Sequence, residues 1–220
     1  MDIQDGRNVF EVKIEVRNIE KSFKNNQVLQ GIDMTFASGH VYGIVGRNGS
    51  GKSVFLNILL GFMRQTSGEI CFERDRENYT PQIAAVLDGS DLYPDMSAKE
   101  NLVYLSNFRK LIGEKEIDEV LKKVELSPEN PAPIKTYSTG MRKRLLIAQA
   151  IMEPADIVIM DEPTNGLDDS GVELLYKLVA EMKDKGMLVL ITSHSKEDIH
   201  VMCDTVYRMK EGKLWQENME

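Results

Sequence analysis

Gly46-Arg47-Asn48-Gly49-Ser50-Gly51-Lys52-Ser53 fills every fixed position of the pattern G-x-x-x-x-G-K-[ST]. It follows the apolar segment Val41-Tyr42-Gly43-Ile44-Val45 and precedes Val54-Phe55-Leu56-Asn57-Ile58-Leu59-Leu60, whose apolar residues have helical spacing. Strand, glycine loop and helix are the setting that gives this pattern its meaning. The glycines let the backbone curl so that successive N–H groups point inward around phosphate oxygens. The helix start adds its positive dipole end to the same anion. Lys52 is placed to reach the β- and γ-phosphates, and the Ser53 hydroxyl to ligand Mg²⁺. The chain is therefore expected to bind a nucleoside triphosphate.

Outward from that loop, a strand at 157–160 ends in two carboxylates: Ile157-Val158-Ile159-Met160-Asp161-Glu162. In a phosphate-loop protein this is a Walker B arrangement, with Asp161 holding Mg²⁺ directly or through water. Glu162 then faces the γ-phosphate as a general base. A second apolar strand, 187–192, ends in Thr192-Ser193-His194. Parallel strands deliver their C-terminal ends to one crevice, which puts the His194 imidazole within reach of the γ-phosphate. Tyr137-Ser138-Thr139-Gly140-Met141 opens a helix with Ser138 as N-cap, a second anion site. One chain cannot easily aim this site and the Lys52 loop at one γ-phosphate. That constraint suggests two chains, each completing the other's site.

The remaining pattern organises the chain around these motifs. Residues 10–36 alternate apolar and polar and read as antiparallel strands. Further strands are expected at 69–72 and 83–87. From 88 to 153 the pattern turns helical, with Ser97 and Glu100 at capping-box spacing before Leu102, Leu105, Phe108 and Leu111. Helices are expected at 114–125 and from Ser138 to Pro154, then at 170–185 and 196–203, with a closing hairpin at 205–209 and 213–215. The fold class is α/β: a P-loop NTPase core, a mixed parallel sheet with antiparallel N-terminal strands, with an inserted helical subdomain. Residues 1–87 and 154–220 would form the core and 88–153 the insert.

Composition bounds the rest. Hydrophobic residues make up 42% and charged residues 28%, an ordinary globular balance. A net charge of −8 disfavours nucleic acid, whose partners carry basic patches. Cys71 and Cys203 lie far apart with no metal-ligand spacing and read as small apolar core residues in a reducing compartment. The acidic N-terminus lacks a signal-peptide core, and no run approaches the roughly eighteen apolar residues of a membrane span. A cytoplasmic chain is expected.

Taken in order, these motifs resemble an ATP-binding cassette (ABC) subunit. Phosphate loop, Ser-x-Gly signature, Walker B with its glutamate, Asn165-Gly166-Leu167-Asp168 and Thr192-Ser193-His194 follow one another over nearly the whole chain. The resemblance implies an ATPase using ATP and Mg²⁺ in a head-to-tail sandwich dimer, either a homodimer or a pair with a paralogous cassette. Ser138 and Gly140 would reach the γ-phosphate in trans. Phe23 would stack on adenine with Val28 beside it, and Asp168 would link the two sites. With no span of its own, the chain would dock on a separate transmembrane permease around 88–95, where Leu92, Tyr93 and Pro94 are candidate contacts. It would then sit at the inner face of the cell membrane only through that permease.

Two departures stand out. The family signature Leu-Ser-Gly-Gly-Gln is replaced at its first, third and fifth residues by Tyr137, Thr139 and Met141, which looks exporter-like. Asp88 stands where a glutamine that touches Mg²⁺ and the attacking water is expected, and Gln82 lies before that strand. A carboxylate there can still ligate a hard cation. Other readings are a cassette acting without a membrane partner in cofactor assembly, and an ATP-binding module with little turnover.

Overall fold

The computed structural model describes residues 11–74, 80–87 and 92–217. In chain order, β1 (Val12–Phe23) and β2 (Asn26–Ala37) form a hairpin, and β3 (Val41–Val45) runs into the glycine loop and α1 (Lys52–Leu59). β4 (Ser67–Arg74) and β5 (Ile83–Val86) follow. Three helices come next: α2 (Ala98–Arg109), α3 (Glu114–Lys123) and α4 (Thr139–Ile151). The chain then alternates through β6 (Ile157–Asp161), α5 (Asp169–Asp184), β7 (Leu188–Ser193) and α6 (Lys196–Met202), and closes with β8 (Thr205–Lys210) and β9 (Lys213–Glu217).

Two sheets result. The larger runs β5-β6-β7-β3-β8-β9, parallel through β8, with β9 antiparallel at its edge. The smaller, β2-β1-β4, is antiparallel. β3, β6 and β7 are buried along their whole length, which explains why they read as unbroken apolar runs. Their alternate residues feed two separate cores. On one side Ile44, Ile159 and Leu190 pack with Phe36 of the small sheet and Phe55 and Leu56 of α1. On the other, Val158, Met160, Val189 and Ile191 pack with Leu145 of α4 and Leu178 of α5. Helix α1, and with it the phosphate loop, is thus clamped between the two sheets.

The helix starts behave as their sequence predicts. Ser97 accepts from the Glu100 N–H at 3.3 Å while Glu100 accepts from the Ser97 N–H at 2.7 Å. Ser138 accepts from the Met141 N–H at 3.2 Å and Ser195 from the Asp198 N–H at 3.3 Å. The apolar residues of α2 do not all turn inward. Of Leu102, Leu105, Phe108 and Leu111, Leu102 is fully buried, whereas Phe108 is 71% exposed and Leu111, beyond the helix end, 53%. Asn101 takes a core place instead: its side-chain amide donates to the carbonyls of Tyr93 and Ser97 and accepts from the Tyr93 N–H. A buried amide satisfied on both sides is tolerated in a core. Outside, Tyr93, Tyr104 and Phe108 form an edge-to-face aromatic ladder with ring centres 4.7 and 5.5 Å apart.

Among the described residues no helix is long and apolar enough to cross a membrane. The two cysteines diverge: Cys203 is buried behind α6, whereas Cys71 is half-buried on β4. Burial, helped by the neighbouring Asp204 charge, pushes the Cys203 thiol up to about 12. Only a thiolate alkylates readily. Iodoacetamide at pH 8 should therefore label Cys71 in the native protein and spare Cys203 until denaturant is added, as read by intact-mass and peptide mass spectrometry.

Candidate nucleotide site

Parallel register sets the site. Val45 lies opposite Ser193 and Asp161 opposite Thr192, so β3, β7 and β6 end side by side. The next residues, Gly46, His194 and Glu162, share one edge of the sheet. Between strand and helix the loop passes tightly under β2. Gly51 has a left-handed φ of 112°, and a Cβ there would come within 2.9 Å of the Leu29 side chain and 3.3 Å of the Val28 carbonyl. Only glycine meets both demands at once.

The charged groups of this edge are already engaged with one another. The Lys52 ammonium, 6% exposed, donates to the Gly46 carbonyl at 2.7 Å and lies 3.2 Å from Glu162 Oε1. Glu162 Oε2 accepts from the His194 N–H at 3.1 Å and sits 2.7 Å from its Nδ1. Glu162 itself holds a left-handed backbone, φ 46°. Its N–H donates to both the carbonyl and the hydroxyl of Thr192, at 3.1 and 3.2 Å. That same hydroxyl donates to Asp161. Thr192 is fully buried, and these bonds fix both carboxylate-bearing residues, Asp161 at the end of β6 and Glu162 just beyond it, from the neighbouring strand.

A cleft of about 500 Å³ opens over this edge. The loop and helix start contribute Arg47, Asn48, Gly49, Gly51, Lys52 and Ser53 to its lining. The strand ends contribute Asp161, Glu162 and His194, and Val28, Val54 and Asn165 complete the wall. Gly46 and Ser50 lie in the loop floor, where Ser50 accepts from the Gly212 N–H at 3.3 Å. Phe23 is not among the lining residues. It sits at the tip of the β1–β2 hairpin, 43% exposed, with the Lys21 ammonium 4.8 Å from its ring centre. Asp88, the substitute for a metal-touching glutamine, lies outside the described residues. Gln82 instead takes part in a bond network with Arg109 and Asp156, away from the cleft.

Ser138, Gly140 and Asp168 also stand apart from this cleft. Ser138 is exposed at the start of α4. Asp168 caps α5, accepting from the Gly171 N–H at 2.9 Å. That N–H, joined by the Arg144 guanidinium at 3.2 Å, holds its carboxyl below the usual range. Tyr137 is buried, and burial pushes its phenol up.

The donor set suits a triphosphate with a hard cation. The Lys52 ammonium, the start of α1, the Ser53 hydroxyl and the Asp161 carboxylate all border the cleft. Among the described residues no cluster of three or more His, Cys, Asp or Glu could hold a metal alone. Mg²⁺ fits here as an ion sharing protein oxygens with phosphate and water. Sequence reading passed over Thr192 and Asn165 as site residues. The signal for Thr192 was a lone hydroxyl within the aliphatic run of β7. Thr192→Val keeps the shape and removes the hydroxyl, leaving Asp161 and the Glu162 N–H each short of a partner. Urea denaturation should show a loss of about 1–3 kcal/mol, and Thr192→Ser should recover most of it.

Comparison with known proteins agrees with this geometry. The ABC transporter family profile matches residues 29–165. An uncharacterised ABC transporter ATP-binding protein of Bacillus subtilis (strain 168), YybJ, is 36% identical over 91% of this chain and 94% of its own length. The lantibiotic transport ATP-binding protein SrtF of Streptococcus pyogenes is 32% identical, covering 91% of this chain and 88% of its own. The bacitracin transport ATP-binding protein BcrA of Bacillus licheniformis is 30% identical, covering 93% and 69%. In fold, the chain superposes on a dimeric bacterial ABC transporter cassette with a TM-score of 0.83, over 94% of this chain and 99% of that one at 24% identity. The phosphate loop, the carboxylate pair and the histidine at adjoining strand ends therefore belong to a member of the ABC transporter family, an ATP-binding cassette with ATPase activity.

Proposed function

We propose that this chain hydrolyses ATP to drive export through a separate transmembrane permease, working as one half of a head-to-tail pair of cassettes. The observation that carries the reading is the Glu162 carboxylate, held between Lys52 and His194 at the floor of the cleft. A γ-phosphate entering the loop competes for Lys52 and draws it off Glu162. The carboxylate oxygen so released faces the attacking side. Glu162 takes a proton from the water that attacks the terminal phosphorus, and the bond to the bridging oxygen breaks toward the diphosphate. His194, anchored on the same carboxylate, keeps it aimed and donates toward the γ-phosphate oxygens. Ser53 and Asp161 would hold Mg²⁺, which when bound supplies charge neutralisation on the phosphate oxygens.

The paired arrangement is supported by where the signature lies. Ser138 is exposed at the N-terminus of α4, outside the chain's own cleft, with Gly140 beside it. Both suit the nucleotide of a second chain, either another copy or a paralogue, with Asp168 near the seam. Val28 would flank the base; Phe23, at the hairpin tip, would have to swing toward it to stack. The segment 88–153 would act as a helical unit bearing the signature against the core of 1–87 and 154–220. Asp88 would serve as the cation-touching residue of its loop. Export is favoured by the relatives named for lantibiotic and bacitracin transport. The permease would bind the ladder of Tyr93, Tyr104 and Phe108, which puts the chain on the cytoplasmic face of the membrane.

Glu162→Gln keeps the size of the side chain and removes the base. Steady-state hydrolysis should fall by about 10²–10⁴-fold while ATP binding persists and light scattering reports an ATP-dependent dimer. Hydrolysis at the parent rate would remove Glu162 from the role. A Tyr93→Glu variant should lose co-purification with its membrane partner while keeping the parent's ATP affinity, and retention of the partner would move the docking surface elsewhere.

A further inference from the structure

Lys143 lies in the second turn of α4 and is only 6% exposed. Its ammonium donates to the main-chain carbonyl of Glu162 at 3.3 Å. Placing an ammonium in a core is costly unless it is hydrogen-bonded, so a filler at this position would more naturally be apolar. Among the described residues, the recipient is the one lining the cleft whose backbone is left-handed without being glycine. Such a conformation persists only where its surroundings over-determine it. Thr192 holds the Glu162 N–H from β7, while the Glu162 carbonyl accepts from the Asn165 N–H of its own turn at 3.2 Å and from Lys143 of α4.

The same helix grips the following loop twice more. A Cβ on Gly166 would lie 2.7 Å from the Thr139 methyl, so loop and helix touch there with no room to spare. The Arg144 guanidinium reaches Asp168 at 3.2 Å and Ser170 at 3.0 Å, and also pairs with Glu125. Residues 162–168 therefore lie along the first two turns of α4, fastened at the start, middle and end.

We propose that Lys143 is a positioning residue for Glu162, tying the backbone of the base to the signature helix of its own chain. This rests on Glu162 being the base. Because Ser138 caps α4, a displacement of the helix start by a second chain's nucleotide passes through Lys143 to the Glu162 peptide. Each site would then register the occupancy of the other without any contact between the two nucleotides. The lysine does not touch the reacting atoms; it sets the angle from which the carboxylate meets the water.

The test compares the full-length parent with Lys143→Met, Lys143→Gln and Lys143→Arg by amide hydrogen exchange over residues 160–170 and by steady-state kinetics with ATP and Mg²⁺. Met should speed exchange in 162–168 but not in the phosphate loop. It should lower kcat by about 10–100-fold, the loss expected of small misplacements, with KM for ATP unchanged. Gln and Arg, which still donate, should recover most of both. Unchanged exchange in the Met variant would overturn the tether. So would a fall in activity that tracks thermal stability in all three variants alike. Absence of Glu162-dependent hydrolysis in the parent would instead sink the functional reading, while the exchange comparison still decides the tether.

Discussion

The ion pair between Lys52 and Glu162 is what the rest of the site is arranged around. Both side chains are nearly out of water, at 6% and 12% exposure, so neither charge has solvent to fall back on. A buried ion pair is weak evidence for stability, because desolvation consumes much of the attraction. Its significance lies elsewhere: each partner is necessary to the other, Lys52 at the start of the helix that follows β3 and Glu162 just past the end of β6. Three strands must therefore end level, and the register Val45↔Ser193 and Asp161↔Thr192 makes them do so. The two cores on either side of the sheet hold that register. A slip of one residue in β6 would exchange Ile159 with Met160 between cores and carry Glu162 away from Lys52.

Most of this was legible in the sequence because the motifs are local and the strands short. The phosphate loop, the carboxylate pair and His194 each announce themselves within a few residues, and the parallel-sheet rule brings them together. What stayed hidden depends on partners far along the chain. Thr192 is one hydroxyl among aliphatic residues until β7 is laid beside β6. Lys143 reads as a surface cation of a basic helix until the helix is seen packed with its ammonium on a peptide 19 residues away. The inner face of α2 is hidden for a related reason: periodicity counts apolar residues and cannot see that Asn101 satisfies its amide internally and takes the inner position.

The departures in the signature acquire a physical account in the same packing. Tyr137 stands where the family has leucine, yet it is buried, with its phenol 3.5 Å from the Asn130 amide. The extra ring fills core while the hydroxyl keeps a polar neighbour. Thr139 stands where the family has glycine. Its methyl turns onto Gly166 of the chain's own loop, where the absent Cβ makes the space. The bulk is taken up inside the chain, leaving Ser138 exposed and Gly140 against the Gly166 carbonyl.

Seen electrostatically, the cleft holds its charges in exchangeable pairs. Lys52 rests on a carboxylate and His194 rests on the other oxygen of that carboxylate. A γ-phosphate brings the same sign of charge as Glu162, so it can replace the carboxylate at Lys52 without leaving the ammonium bare. Glu162 loses its cation in the same event and keeps the imidazole and the His194 N–H. The backbone bonds from Thr192 and Lys143 matter at that moment, because one of the two side-chain contacts that had fixed the carboxylate is being exchanged.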